Sequence, residues 1–391
     1  MLEKLRNHLQ GDKQIWWIMG LLSLISVVTV YSSISSLAYR QAGGDTEAVI
    51  LRHVVFLVVG IFITVLVHKV DITKYTHIAK ILLYLSPFLL IYTLGFGISV
   101  GNARRWINVF GMSFQTADFV KLILIVNLAA MLASKIHIEY KRKDLIEIIL
   151  WSGGIVFLIA LSSFSSAVIL GVTCFTIMWI GKVPGKYLRK MVLAVGLGIL
   201  AALLGGLLVN KIAGEEVIGR VSTVVDRTEN FFKKDFDGDG HVGGLYGGKS
   251  NQENYAHVAI ARGGLFGVGP GNSSQKNILP EAYSDYIYSI VIEEYGLIGG
   301  IIVMGLYLWL LARGIKNIDF TERAFGGLLC VGLTLLLVYQ AFAHIAVNVG
   351  LGPVTGQTLP LISRGGTSAL FSFIALGIVL SVSKHAKPAA E

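Results

Sequence analysis

The stretch Leu279-Pro280-Glu281-Ala282-Tyr283-Ser284-Asp285-Tyr286-Ile287-Tyr288 sets two carboxylates where a long polar segment turns into an apolar helix. A carboxylate at a membrane interface is costly unless it is hydrated, paired or used. Glu281 and Asp285 are therefore candidates for chemistry. Capping is the competing reading, since Ser284 or Asp285 would close a helix N-terminus well. Cations form a second group, because Arg104-Arg105-Trp106 follows the third apolar run and Lys121 lies early in the fourth. Asp118 stands three residues before Lys121, a spacing that equally makes a simple ion pair. Arg104 and Arg105 also read as interfacial anchors beside an aromatic-belt tryptophan. The third group is Gly352-Pro353-Val354-Thr355-Gly356-Gln357-Thr358-Leu359-Pro360-Leu361-Ile362-Ser363-Arg364-Gly365-Gly366-Thr367-Ser368. Its glycines, prolines and hydroxyls bend the chain and leave helix N-terminal amides beside Ser363 and Arg364, a setting that binds phosphate or simply begins a helix.

The elements that must position these residues are membrane helices. With 54% hydrophobic residues, 15% charged residues and a mean hydropathy of +0.69, the chain carries more apolar surface than a water-soluble domain could hide. A span takes roughly 20 apolar residues. Such runs fall near 15–38, 49–68, 76–98, 116–134, 147–164, 166–182, 191–212, 285–312, 325–347 and 365–383. The expectation is thus an all-α polytopic membrane protein with about ten transmembrane helices, forming one membrane domain over 1–391. The run Ser162, Ser163, Ser165 and Ser166 makes the fifth and sixth spans the weakest pair. Lys and Arg in short loops are retained on the cytoplasmic side. Ten spans place 18 basic residues on one side, Lys4 through Lys387, against Arg40, Arg52, Arg104, Arg105 and Arg364 on the other. Both termini are expected to be cytoplasmic, and the first apolar run to remain as a span rather than be cleaved.

The net charge of +9 follows from these membrane-flanking loops and suits topology and anionic lipid contact. No basic patch with interleaved aromatics is present, so no nucleic acid partner is expected. Cys174 and Cys330 fall inside predicted spans without metal-ligand spacing. One long interruption, 214–283, is expected as a large extracytoplasmic loop between the seventh and eighth spans. Its second half, with Ala256 to Val268 among Gly263, Gly264, Gly267, Gly269 and Gly271, should be ordered on or in the membrane surface; the first half, near Asn230 to Ser250, reads as a mobile insertion. Asp235-Phe236-Asp237-Gly238-Asp239-Gly240 imitates a calcium loop, but the twelfth position is Tyr246 rather than a bidentate Glu. Gly267-Val268-Gly269-Pro270-Gly271 lacks the strand and acidic residue of a dinucleotide site.

Five motifs in order carry a resemblance over nearly the whole chain: Gly101-Asn102-Ala103-Arg104-Arg105-Trp106-Ile107, Gly263-Gly264-Leu265-Phe266-Gly267-Val268-Gly269, Gln275-Lys276, Leu279-Pro280-Glu281-Ala282 with Asp285, and Thr358-Leu359-Pro360-Leu361-Ile362-Ser363 with Gly365-Gly366. The sequence resembles the SEDS family (shape, elongation, division and sporulation), most of all its division branch. That resemblance implies a bacterial peptidoglycan glycosyltransferase that polymerises lipid II at the outer face of the cytoplasmic (inner) membrane. It implies a class B penicillin-binding transpeptidase and other division proteins as partners, and a place at the division septum.

The essential aspartate of the family's Pro-Glu-Ala-His-Thr-Asp-Phe motif maps onto Asp285, the implied general base. Arg104, Arg105, Lys121, Glu281, Ser363 and Arg364 are the implied substrate contacts. A divalent cation, Mg or Mn, is implied as an aid to the leaving group, though no ligand set is visible; no organic cofactor is expected. Departures mark a divergent branch: Tyr283-Ser284-Asp285-Tyr286 lacks the family histidine, Ser162-Ser163-Phe164-Ser165-Ser166 replaces an acidic stretch, and His344 stands at a position usually Asn. Alternatives are an elongation polymerase of the same family, a lipid II flippase or other transporter, and a scaffold without catalysis.

Overall fold

The structure, a computed structural model, describes residues 10–34, 45–100, 103–109, 111–135, 138, 140–213, 251–279, 281–319 and 324–384. Its helices are α1 Lys13–Ser33, α2 Thr46–Val67, α3 Ile72–Phe96, α4 Thr116–Ala133, α5 Arg142–Ser162, α6 Phe164–Ile180, α7 Gly185–Ala213, α8 Asn251–Gly263, α9 Ile287–Asp319, α10 Ala324–Asn348 and α11 Thr367–Lys384. Eight of them, α1 to α5 and α9 to α11, are long and apolar enough to cross a membrane, while α6 is a shorter apolar helix. Each expected run has its helix, α7 included. The chain is an all-α polytopic membrane protein with one small sheet added. Of the loop expected over 214–283, positions 214–250 lie outside the described residues, together with the acidic run at 235–240 and Pro280.

Local chemistry sets the helix ends. Asp12, Asp45 and Asp71 each cap a helix by accepting a backbone N–H from Gln14, Ala48 and Thr73 respectively. Asp12 also takes Arg313 Nε at 2.7 Å, and its N–H donates to Ser383 Oγ at 2.9 Å. One residue thereby ties α1, α9 and α11 together. The serine run breaks the fifth and sixth helices at Ser163, whose φ of −151° and ψ of 97° are extended.

Burial inverts the pattern of a soluble protein. Buried residues make up 83% of the most apolar part of α10 and 78% in α4 and α11, against 28% in α2 and α3. Leu51, Phe62, Ile81 and Phe88 on the outer helices are exposed, as lipid-facing side chains should be. Inside, glycines bring helices close: a Cβ at Gly60 would stand 2.1 Å from Phe373, and one at Gly332 would stand 2.7 Å from Ile177.

Two features went unforeseen. A three-stranded antiparallel sheet of β1 Ile98–Val100, β2 Ala103–Val109 and β3 Met112–Gln115 follows α3. It turns at Gly111, where φ is 78°. The span expected from 285 is interrupted at Gly296, with φ 69° and ψ −175°. Here the glycine motif of the loop has its role: a Cβ at Gly267 would lie 2.2 Å from Glu294 O, and one at Gly296 would lie 2.2 Å from Leu265 O. Backbone meets backbone at this kink. Beside it Glu293 is fully buried, accepts Ser274 N at 3.1 Å and Ser273 Oγ, and faces Arg262 at 3.6 Å. Glu294, also buried, accepts Ser32 Oγ from α1.

Candidate active site

Three polar residues, Gln340, His344 and Asn348, recur every four positions on one face of the otherwise apolar α10, and all three are buried. Buried amides in a membrane helix need partners. Gln340 Nε2 donates to Thr358 O at 2.9 Å, and His344 Nδ1 lies 2.7 Å from Gln357 O. Because a carbonyl only accepts, Nδ1 carries the proton, which leaves Nε2 a buried acceptor without a partner. Asn348 Nδ2 donates to Asp285 O at 3.0 Å, while its Oδ1 accepts Ser289 N at 3.1 Å and Ser289 Oγ at 2.8 Å. The stripe therefore grips two segments: the strap over 352–366 and the turn that leads into α9.

The strap and the turn also hold each other. Ser363 Oγ donates to Ser284 O at 2.7 Å and accepts Leu359 N at 2.8 Å. Arg364 N donates to Tyr283 O at 3.0 Å, and its guanidinium lies 5.6 Å from the centre of the Tyr283 ring. Gly356, with φ of +63°, passes so close that a Cβ there would stand 3.5 Å from Asp285 Oδ2. Ser284 Oγ donates to Asp285 Oδ1 at 3.2 Å. Asp285 and Arg364 are half-buried and Glu281 is exposed.

Burial, reinforced by the Glu281 carboxylate, pushes the Tyr283 hydroxyl well above its usual range, so it stays a neutral phenol. Burial lowers the Arg364 guanidinium, yet an arginine keeps its charge in proteins. A carboxylate, a cation and a neutral phenol thus lie side by side where the strap meets the turn.

Of the residues singled out by sequence, the structure brings Glu281, Asp285, Ser363 and Arg364 together. The remaining cations have partners of their own. Arg104 donates to Gly95 O near the end of α3, and Arg105 Nε donates to Ser162 O, the last residue of α5, at 3.1 Å. Such terminal carbonyls lack helical partners and attract cations. Lys121 Nζ pairs with Asp118 Oδ1 at 2.8 Å, both buried, and Asp118 Oδ2 has no hydrogen-bond partner.

The hairpin still communicates with the strap. Thr367 Oγ1 donates to Ser113 O at 2.7 Å, Ser165 Oγ to Thr355 O at 3.1 Å, and Gln357 Nε2 to Ser166 Oγ at 2.9 Å. The broken helix pair α5 and α6 thus abuts the strap from one side while α10 grips it from another. Among the described residues, no three His, Cys, Asp or Glu side chains converge to hold a metal ion. The described side chains therefore do not fit a resident metal centre.

Sequence reasoning missed Gln340 and Asn348 and did not see what the Gln357 side chain does. The signal was available as amides four residues to either side of His344, on an otherwise largely apolar helix.

Residues 12–388 match the family model FTSW_RODA_SPOVE, described as cell cycle protein. The chain belongs to this family. It is 28% identical to the "Probable peptidoglycan glycosyltransferase FtsW" of Marinomonas mediterranea, over 98% of this chain and 91% of that one. To the protein of the same description in Bacillus subtilis it is 30% identical, over 96% of this chain and 92% of the other. Among solved structures, a chain described under "Structural coordination of polymerization and crosslinking by a peptidoglycan synthase complex" aligns with a TM-score of 0.71 at 22% identity, over 95% of this chain and 97% of that one. The Thermus thermophilus rod shape determining protein RodA aligns with a TM-score of 0.67 at 21% identity, over 98% and 99% of the two chains. FtsW/RodA/SpoVE membership and the helical bundle therefore agree along the full length.

Proposed function

We propose that this chain is a peptidoglycan glycosyltransferase of the FtsW type, which polymerises lipid II at the outer face of the bacterial cytoplasmic membrane during septal wall synthesis. The observation that carries the reading is the placement of Asp285. Its backbone is held by Asn348 and its side chain faces the strap that bears Ser363 and Arg364. That arrangement sits in a chain whose full-length relatives are named probable peptidoglycan glycosyltransferases.

In the reaction, the 4-hydroxyl of an acceptor sugar attacks the anomeric carbon of a donor. The bond to the lipid pyrophosphate breaks and its electron pair leaves with the pyrophosphate. Asp285 takes the hydroxyl proton, and nearby cations offset the charge that grows on the leaving group. Arg364 is the cation best placed for this, with Lys121, Arg104 and Arg105 as further contacts for pyrophosphate or stem-peptide carboxylates. Glu281 and Ser363 complete the substrate contacts. The divalent cation belongs to the proposal as an ion that arrives with the pyrophosphate, since magnesium sites commonly combine one or two carboxylates with substrate phosphates.

Ten spans, α1 to α7 and α9 to α11, with both termini cytoplasmic follow from the distribution of Lys and Arg. A class B penicillin-binding transpeptidase is the proposed partner, which the structural likeness to a synthase complex supports. A RodA-type elongation role is the second reading, favoured by the likeness to RodA. A flippase would use helices broken at the bilayer midplane. The breaks at Ser163 and Gly296 instead adjoin the strap and the outer loop.

The test is polymerisation of fluorescent lipid II by the purified full chain, with and without the partner transpeptidase, read as glycan ladders on a gel. Ladders are expected. Their absence under both conditions, from folded protein, would overturn the assignment.

A further inference from the structure

Away from the strap, an apolar groove of about 390 Å³ opens between α5, α6 and α7. Gly153, Gly171 and Gly196 shape it by lacking side chains, and Val156, Val172 and Val195 supply its walls. Val172 and Val192 at its mouth are exposed on the outside of the bundle. On α7 the groove runs from Met191 to Ile199, a length of roughly 12 Å that begins about 9 Å above the helix start at Gly185. A single leaflet is about 15 Å deep in hydrocarbon. The groove therefore occupies the depth of one acyl chain, in the leaflet next to the α7 N-terminus.

Below it lies a basic rim. Arg189 stands three residues before Val192 and seven before Gly196, so it continues the groove face of α7 downwards. Arg142 opens α5 eleven residues, about three turns, before Gly153 and shares its face. Both arginines are exposed, and among the described residues no carboxylate pairs with either of them. The neighbouring acid Asp144 is already engaged by Lys135 at 3.1 Å. Glu147, five residues on from Arg142, points to roughly the opposite side of α5. An apolar slot one chain deep, ending in two unneutralised arginines, matches the shape and charge of an anionic phospholipid.

We infer that the groove and its rim bind one anionic phospholipid of the cytoplasmic leaflet, with an acyl chain between α5, α6 and α7 and its phosphate on Arg189 and Arg142. The inference goes beyond the glycosyltransferase reading and shares with it only the membrane orientation. Its test needs no polymerisation activity.

Native mass spectrometry of the full chain, reloaded with dioleoyl phosphatidylglycerol, dioleoyl phosphatidylcholine or a polyprenyl phosphate, measures retention directly. One phosphatidylglycerol per chain should survive activation that strips phosphatidylcholine. The double variant Arg189→Ala, Arg142→Ala should lose that retention roughly tenfold, while Lys74→Ala in another loop should not change it. Gly196→Leu should abolish it without unfolding the protein, since a Cβ at Gly196 meets nothing within 4 Å and the side chain would occupy the groove. Equal retention of the two phospholipids, unchanged retention in both the rim and the groove variants, or preference for the polyprenyl phosphate would each overturn the inference.

Discussion

Asp285 and Glu293 lie eight residues apart on the same stretch of chain, yet their surroundings are opposite in kind. Glu293 is fully buried, and the donors of Ser273 and Ser274 together with Arg262 converge on its carboxylate. Asp285 remains partly exposed: Asn348 holds its backbone carbonyl, and the neighbouring Ser284 hydroxyl donates to its side chain. A carboxylate locked by donors stabilises the fold that surrounds it. One whose backbone is fixed while its side chain stays reachable is placed to meet a substrate. The comparison separates a carboxylate that holds the loop to the bundle from one that is presented to the strap.

Four variants would break or sharpen that contrast. Asp285→Ala should lower polymerisation by roughly a thousandfold, within the range of general-base catalysis, while its thermal midpoint in detergent stays near wild type. Asn348→Ala should lower kcat by roughly a hundredfold with little change in KM, because it lets the base shift by a fraction of its reach. Steady-state rates on fluorescent lipid II separate these two parameters.

Glu293→Ala should act on stability instead, at about 2 kcal/mol from donors left unpaired. The thermal midpoint falls, and activity per folded molecule stays within a few-fold of wild type. The smallest effect belongs to Ser363→Ala, which removes the hydrogen bond to Ser284 O. It should reduce the rate about fivefold, as a loss near 1 kcal/mol would. A Ser363→Ala loss as large as that of Asp285→Ala would show that the strap carries the chemistry itself.

The helices were legible because lipid demands long apolar runs, and the serine interruption at 162–166 correctly marked a break rather than one long span. Two features were not legible, for different reasons. β1, β2 and β3 have three, seven and four residues, too short for a period-two pattern to stand out beside an apolar run. The left-handed break at Gly296 is dictated by the contact with Leu265, some thirty positions earlier, which no local pattern records.

Within the site, the motif around Asp285 and the strap could be read directly, because polar residues at a membrane boundary are conspicuous. Their mutual contact could not, since Ser363 and Ser284 meet across 79 positions of sequence and the α10 stripe that also holds both segments is a third element. For Arg104 and Arg105 the fold adds a contact that residue type does not reveal, since each also reaches a carbonyl at or near a helix C-terminus.

The most direct test of the contrast compares Asp285→Asn with Glu293→Gln side by side, counting folded molecules by size exclusion and lipid II polymerisation by glycan ladders from the same preparation. The account predicts that Asp285→Asn yields as much folded protein as wild type and no ladders, while Glu293→Gln yields less folded protein whose ladders are of normal rate. Ladders from Asp285→Asn at the wild-type rate, or a folded Glu293→Gln protein that makes none, would contradict it.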